Sequence, residues 1–196
     1  MPKSVDPMQK RAELVEASWQ VIAGEGLKAA TLRRVAGQAG CTTGQLTHYF
    51  PGRRALLIDA LRSAHYQAGA RMADAAARAS NDLARLRAVL LESLPLDETR
   101  LREWRLWLAF WAESMNDPEL AKENARRYGE WRALLLERVR PLAPSVKQTK
   151  NEVDHLIALI DGLGLRVARH SESDAGLEAQ QRACRATLLR HLKRFA

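Results

Sequence analysis

Cysteine is nearly absent from this chain. There are two, Cys41 and Cys184, far apart and in no metal-ligand spacing. That argues against a disulfide framework or a zinc site and suits thiols kept reduced in a cytoplasm. No apolar run approaches the ~18 residues that a membrane span needs, and the opening MPKSVDPMQK has no signal-peptide core. The expectation is a cytoplasmic protein with no membrane partner. Signatures of catalysis are missing too. His48, His65, His155, His170 and His191 are scattered, with no HExxH, no Cys/His cluster and no serine nucleophile elbow. Gly162-Leu163-Gly164 lies inside a helical pattern and follows no strand, so it forms no phosphate loop. No enzyme, no metal site and no cofactor is expected. Repeats, low-complexity tracts and strand-like alternation are also lacking, which leaves an all-α reading with about nine helices.

What the chain does have is apolar bulk and positive charge. Of its 196 residues 46% are hydrophobic, ample for a core, and 28% are charged. The formal net charge of +8 favours an anionic partner, nucleic acid ahead of a membrane surface. Residues 1–62 hold nine Lys/Arg against five Asp/Glu, which is half of the excess.

Residues 1–7, with two prolines, read as a lead-in without regular structure, and Lys3 alone is thin support for a DNA-contacting arm. From Met8 the spacing of Ala12, Val15, Ala17, Trp19, Val21 and Ile22 predicts a helix that stops at Gly24-Glu25-Gly26. Trp19 is assigned to a small core beneath it. Thr31 then caps a short helix whose Leu32, Val35 and Ala36 share a face. Ala39-Gly40 supplies a permissive turn. Thr42 caps a second short helix, with Gln45 at the reciprocal capping-box spacing. Helix, glycine turn, helix is the outline of a helix-turn-helix, whose second helix can enter the DNA major groove. Thr42, Thr43, Gln45 and Thr47 suit base edges or phosphates, and His48, Tyr49, Arg53 and Arg54 follow at the helix exit. Lys28, just behind the glycine stop, is placed for a phosphate. The plainer alternative is a solvated helix pair in an all-helical adaptor that binds no DNA.

The stretch Thr31–Leu57 resembles the TetR family of bacterial repressors, whose signature runs T-x-x-x-[IV]-A-x-x-A-G-[VC]-[ST]-x-G-x-[LI]-[YS]-x-[YH]-F-x-x-[KR]-x-x-L-L. The chain supplies Thr31, Val35, Ala36, Ala39, Gly40, Cys41, Thr42, Gly44, Leu46, Tyr49, Phe50, Arg53, Leu56 and Leu57 in register. One departure is Thr47, where most members carry Tyr. The run Thr47-His48-Tyr49-Phe50 is similar to the S-H-Y-F of the BetI-type, betaine-pathway branch, which makes His48 and Tyr49 candidates for the phosphate contact of the missing Tyr. The resemblance implies that Thr42, Thr43, Gln45 and Thr47 face bases or nearby backbone. It implies phosphate contacts for Lys28, Thr31, Arg33, His48, Tyr49 and Arg53. Double-stranded operator DNA is the implied partner, and repression is the implied sense of regulation. On this reading residues 8–50 form the DNA-binding domain, and a linking helix covers about 52–79, with Pro51 in its first turn. Arg53 and Arg54 in that first turn oppose the helix dipole, a tension that a nearby phosphate would relieve.

Residues 80–196 read as a second, ligand-binding and dimerising helical domain. Asn81 or Asp82 caps a helix ended by Pro95. Further helices cover Arg100 to Met115, the stretch from Pro118 to Val139, about Gln148 to His170 and about Asp174 to Phe195. Trp104, Trp107 and Trp111 fall within roughly 60° of arc, with Met115 on the same face and Trp131 on the next helix. Such indoles either pack a core or form a box for an organic cation, completed by an acid such as Glu103, Glu113 or Asp161. WLAFWAESM is similar to the corresponding BetI-type helix, which implies a choline-like effector, with polyamines and lipophilic cations behind it. A neutral or acyl effector is the alternative if the indoles are sealed in the core. Asp161 faces a pocket, an interface or Arg166. Leu156, Ile160 and Leu163 form one late stripe and Leu177, Gln181, Cys184 and Leu188 another. In the TetR family the last two helices make a dimer interface, so the resemblance assigns these residues to a homodimer contact. The expected function is a ligand-responsive, sequence-specific DNA-binding regulator of TetR type, cytoplasmic and on the nucleoid when operator-bound, which a small-molecule effector releases from a palindromic operator.

Overall fold

The structure is a computed structural model that describes residues 6–170 and 175–195. The proposed role of Lys3 and the expected helix start at Asp174 lie outside the described residues. Among these residues there are nine α-helices and no strand: α1 (Pro7–Glu25), α2 (Leu32–Gln38), α3 (Thr43–Tyr49), α4 (Arg53–Ala77), α5 (Asp82–Glu92), α6 (Glu98–Ser114), α7 (Pro118–Val139), α8 (Val146–Ala168) and α9 (Leu177–Leu192). The all-α expectation holds. Side-chain caps start several helices. Asp6 accepts from the Met8 amide at 2.9 Å ahead of Pro7, and Asn81 accepts from the Ala84 amide at 2.8 Å. Pro51 stays outside α4, whose first bond runs from the Leu56 amide to the Gly52 carbonyl at 3.3 Å.

The chain forms two compact units, Met1–His65 with Leu106–Asn124 and Tyr66–Arg105 with Ala125–Ala196. In the first, Leu14, Val35, Leu46, Phe50, Leu56 and Leu57 are fully buried together with Phe110. Burying a side chain of this size contributes about 1.5–3 kcal/mol, so the short α2 and α3 are held by packing that they could not supply alone. Ala12 faces solvent and Leu14 takes the core position instead. Trp19 is half-buried on this core, and its indole N–H donates to the Ala60 carbonyl at 3.2 Å.

In the second unit α8 and α9 pack against each other and bury Leu156, Ile160, Leu163, Cys184 and Leu188 within their own chain. This corrects the assignment of those five to a dimer contact. Apolar periodicity shows that residues share a face, not what covers it. A side chain sealed inside its own protomer has no area left to offer a second copy. Leu177 and Gln181 stay half-buried, and the Gln181 amide donates to the Pro95 carbonyl at 3.1 Å. Burial also holds the Cys184 thiol up at about 11, so it is protonated and unreactive.

Candidate nucleic-acid interface and effector residues

The turn before α3 is built by Gly40, whose φ of +63° a residue with a Cβ adopts only with strain. It lets the Cys41 amide donate back to the Ala36 carbonyl at 3.0 Å and close α2. The capping box then forms in both directions. The Gln45 amide donates to Thr42 Oγ1 at 3.1 Å, and the Thr42 amide donates to Gln45 Oε1 at 3.2 Å. Leu46 at 0% exposure roots the helix, while Thr42, Thr43, Gln45, Thr47 and His48 all face solvent.

The internal bonds set what this face offers. With Oε1 taken up, Gln45 presents its NH2 as a donor. Thr47 donates to the Gly44 carbonyl at 3.0 Å and therefore presents lone pairs and a methyl group outward. A donor, an acceptor and methyls on one exposed helix face match what base edges and thymine methyls require. Tyr49 is half-buried, its ring edge-on to His48 at 5.4 Å between centroids.

The basic residues divide into two groups. Lys28 and Arg33 are exposed and have no hydrogen-bond or ion-pair partner among the described residues. The others are engaged. Thr31 Oγ1 accepts from the Arg34 amide at 3.2 Å, and the Arg34 guanidinium holds Glu25 at 2.9 Å. Arg53 reaches the carbonyls of Ala30 (3.1 Å) and Leu27 (2.7 Å) and the Glu113 carboxylate (3.3 Å). Arg54 pairs with Asp117 at 2.8 Å. Glu113 and Asp117 thus relieve the dipole tension at the start of α4 that the sequence left to a phosphate.

Arg11 carried no mark in the sequence. Arg11 donates to the Tyr49 carbonyl at 2.9 Å, pairs with Asp59 at 2.6 Å and lies 4.5 Å above the Phe50 ring. It holds the C-terminal end of α3, where a cation complements the helix dipole. Partners so far along the chain leave no mark in local spacing.

The effector candidates are less uniform. Trp104 is core in the second unit: it is 2% exposed, its indole N–H donates to the Ser93 carbonyl at 2.7 Å, and its ring fills the space where Gly164 has no Cβ. Trp107 is half-buried on the first unit's core, and Trp111 is half-buried in that unit. Trp131 is half-buried in the second unit. Met115, at 82% exposure just past the end of α6, lines nothing within its own chain, which corrects its place in an aromatic box. Two of the three candidate acids already have cations. Glu103, 2% exposed, is bridged by both terminal nitrogens of Arg71 at 2.8 and 2.5 Å, and Glu113 is held by Arg53. Asp161 is different. It is half-buried, accepts from the Tyr128 hydroxyl at 2.5 Å, and has no Arg, Lys or His within ion-pair distance among the described residues. Burial pushes its carboxyl above the usual range, against the smaller opposite effect of the Tyr128 bond, and raises the Tyr128 hydroxyl as well. The sequence reading missed Tyr128 as a site residue, since nothing local ties it to Asp161.

Residues 14–60 match the family model of bacterial regulatory proteins of the tetR family, and residues 82–193 match that of the BetI-type transcriptional repressor C-terminal region. The chain belongs to the TetR family. It is 35% identical over 172 residues to the HTH-type transcriptional regulator BetI of Burkholderia thailandensis, covering 86% of each chain. It is 30% identical over 167 residues to the HTH-type transcriptional regulator PksA of Bacillus subtilis, covering 84% of this chain and 82% of that one. Its fold matches a solved structure from Saccharomonospora viridis, described as a transcriptional regulator in complex with choline. The TM-score is 0.79 at 21% identity, over 93% of this chain and 96% of that one. TetR proteins of this kind are transcriptional regulators and not enzymes, and the present chain is a TetR-family regulator with a C-terminal region of BetI type. No helix among the described residues is long and apolar enough to cross a membrane.

Proposed function

We propose that this TetR-family regulator is a homodimeric repressor that holds a palindromic operator through α3 and is released by an organic cation. The observation that carries the DNA side is the α3 face, five exposed polar side chains around a fully buried Leu46. Thr42, Thr43, Gln45, Thr47 and His48 read or flank the bases, and Lys28, Thr31, Arg33 and Tyr49 serve the phosphates. Residues 8–50 are the DNA-binding part, residues 80–196 hold effector and partner copy, and the intervening helix joins them. The site of action is the cytoplasm, on the nucleoid while the operator is bound.

A specific observation also favours a cation over a neutral or acyl effector. A half-buried carboxylate with a tyrosine hydroxyl and no cation of its own is costly unless a positive ligand completes it. Asp161 and Tyr128, with Trp131 one turn further along α7, supply charge, a hydroxyl and an aromatic face. The choline bound in the Saccharomonospora viridis structure is consistent with that class, while the argument here rests on Asp161. The effector acts by preferring the state that fits the operator less well, so release equals its preference between states.

The test uses an operator selected by the protein from random double-stranded DNA. Choline, betaine aldehyde, spermidine and a lipophilic quaternary cation are titrated against tryptophan fluorescence and operator release together. One cation should give saturable quenching and release in parallel. Replacing Asp161 by Asn should weaken that cation at least tenfold, ~1.4 kcal/mol, with operator affinity unchanged. Release by a neutral or anionic metabolite instead would sink the cation reading and leave the repressor reading standing.

A further inference from the structure

The sequence signature places Arg53 where a TetR protein meets phosphate, yet the structure gives its guanidinium three internal partners. Nε donates to the Ala30 carbonyl at 3.1 Å, Nη2 to the Leu27 carbonyl at 2.7 Å, and Nη1 pairs with Glu113 at 3.3 Å. Leu27–Ala29 is a single 3-10 turn, and with Gly26 and Ala30 on either side it connects the end of α1 to the Thr31 cap of α2. The Leu27 carbonyl already accepts from the Ala30 amide at 3.2 Å, but a carbonyl oxygen has two lone pairs, so it and the Ala30 carbonyl can each take a side-chain donor. Arg53 supplies those donors from the first turn of α4 and at the same time grips an acid near the end of α6. A rigid fork bridging three acceptors in fixed directions is a task for arginine and not for lysine.

We propose that Arg53 is a positioning residue for operator recognition and not a phosphate ligand. It fixes where Thr31 starts α2, and through the packing of α2 on α3 it sets the angle at which α3 meets the groove. Glu113 is the second half of the device: it neutralises Arg53 and orients the fork. The inference rests on the operator-binding reading but departs from it in one residue. The two roles differ in measurable ways. A phosphate ligand contributes to specific and non-specific DNA alike and to the salt slope of both, whereas a positioning residue changes only the fit to the correct sequence.

The experiment compares wild type, Arg53→Lys, Arg53→Gln, Glu113→Gln and Glu113→Ala. Each is assayed well below its own melting temperature on the selected operator and on a scrambled duplex of equal length, over a range of salt. The expected result is a loss of tenfold or more in operator affinity for both Arg53 variants, with no rescue by lysine. Glu113→Ala should lose affinity in the same direction, Glu113→Gln less so because its amide oxygen still accepts. Scrambled-duplex affinity and both salt slopes should stay at wild-type values.

Three outcomes would overturn the proposal. One is lysine restoring affinity while glutamine lowers both slopes by about one. Another is Glu113→Gln raising operator affinity, as freeing a phosphate ligand would do. The third is Arg53 variants that lose thermal stability alone and keep full operator affinity. A wild-type chain that binds no duplex in a salt-dependent way would overturn the operator reading itself, and so the two failures are distinguishable.

Discussion

Asp161 shows how one side chain can carry a pH dependence whose sign is fixed by its surroundings. Burial holds its carboxyl above the ordinary range, so the folded chain takes up that proton more readily than the unfolded one. The stability tied to this group is fully present below the unfolded pKa and is lost as pH rises through the raised folded value. At neutral pH the ionised carboxylate is therefore a liability to the fold, and Asp161→Asn should leave the melting temperature unchanged or raise it. The same mutation should abolish the acid-side gain when melts at pH 7.5 and pH 5 are compared. Cation binding has the opposite requirement, because it needs the ionised form. Effector affinity should fall on acidification at a pH above that of an ordinary aspartate, and the fall should be absent from the Asn variant. A destabilised Asn variant would mean that an internal cation partner holds Asp161 in solution.

The elements of the DNA head were largely legible, and the reason is that caps and glycine turns are local. Thr31, Thr42 with Gln45, and Gly40 all act within a few residues of themselves, so spacing alone placed α2, the turn and α3. What spacing could not supply was the partner of a long side chain. Arg11, Arg53 and Tyr128 meet groups dozens of positions away, and local spacing marks none of those partners. The tryptophan stripe divides for a related reason. Helix α6 runs from one compact unit into the other, so three indoles that share a helical face have different surroundings: Trp104 is sealed, Trp107 and Trp111 are not. The element-scale prediction follows from the caps. Thr42→Ala removes the side-chain half of the box, leaves the backbone amide to donate to Gln45 Oε1, and should cost about 1 kcal/mol. Gly40→Ala forces a Cβ into the left-handed region and should cost roughly 1–2 kcal/mol. Thermal melts read both. Because the variants disturb the same seven-residue helix, operator affinity should fall in both even where the chain is fully folded. Unchanged affinity in Thr42→Ala would show that DNA re-forms α3 without its cap.

For the whole molecule the open question is which face meets a second copy. The residues that pack α8 on α9 are used up inside the protomer, yet both helices keep an outward side. On α8 it carries Ala158, Gly162 and Leu165, the last 50% exposed, and on α9 it carries Ala179, Ala183 and Ala186. Small side chains at three- and four-residue spacing let helices approach closely, and one large apolar residue among them gives the contact something to bury. A dimer through this face would carry two copies of α3, and a two-fold protein reads half-sites about 34–36 Å apart, one turn of duplex. Linking two heads in this way multiplies operator affinity by roughly 10²–10⁴ over a single head. Leu165→Arg with Gly162→Glu places charge and bulk on that face and touches neither the core nor α3. The double variant should sediment as a monomer and keep wild-type affinity for an isolated half-site. It should also lose two orders of magnitude or more on the full palindrome. A variant that remains dimeric moves the interface off α8. A monomer with undiminished palindrome affinity separates operator binding from dimerisation altogether.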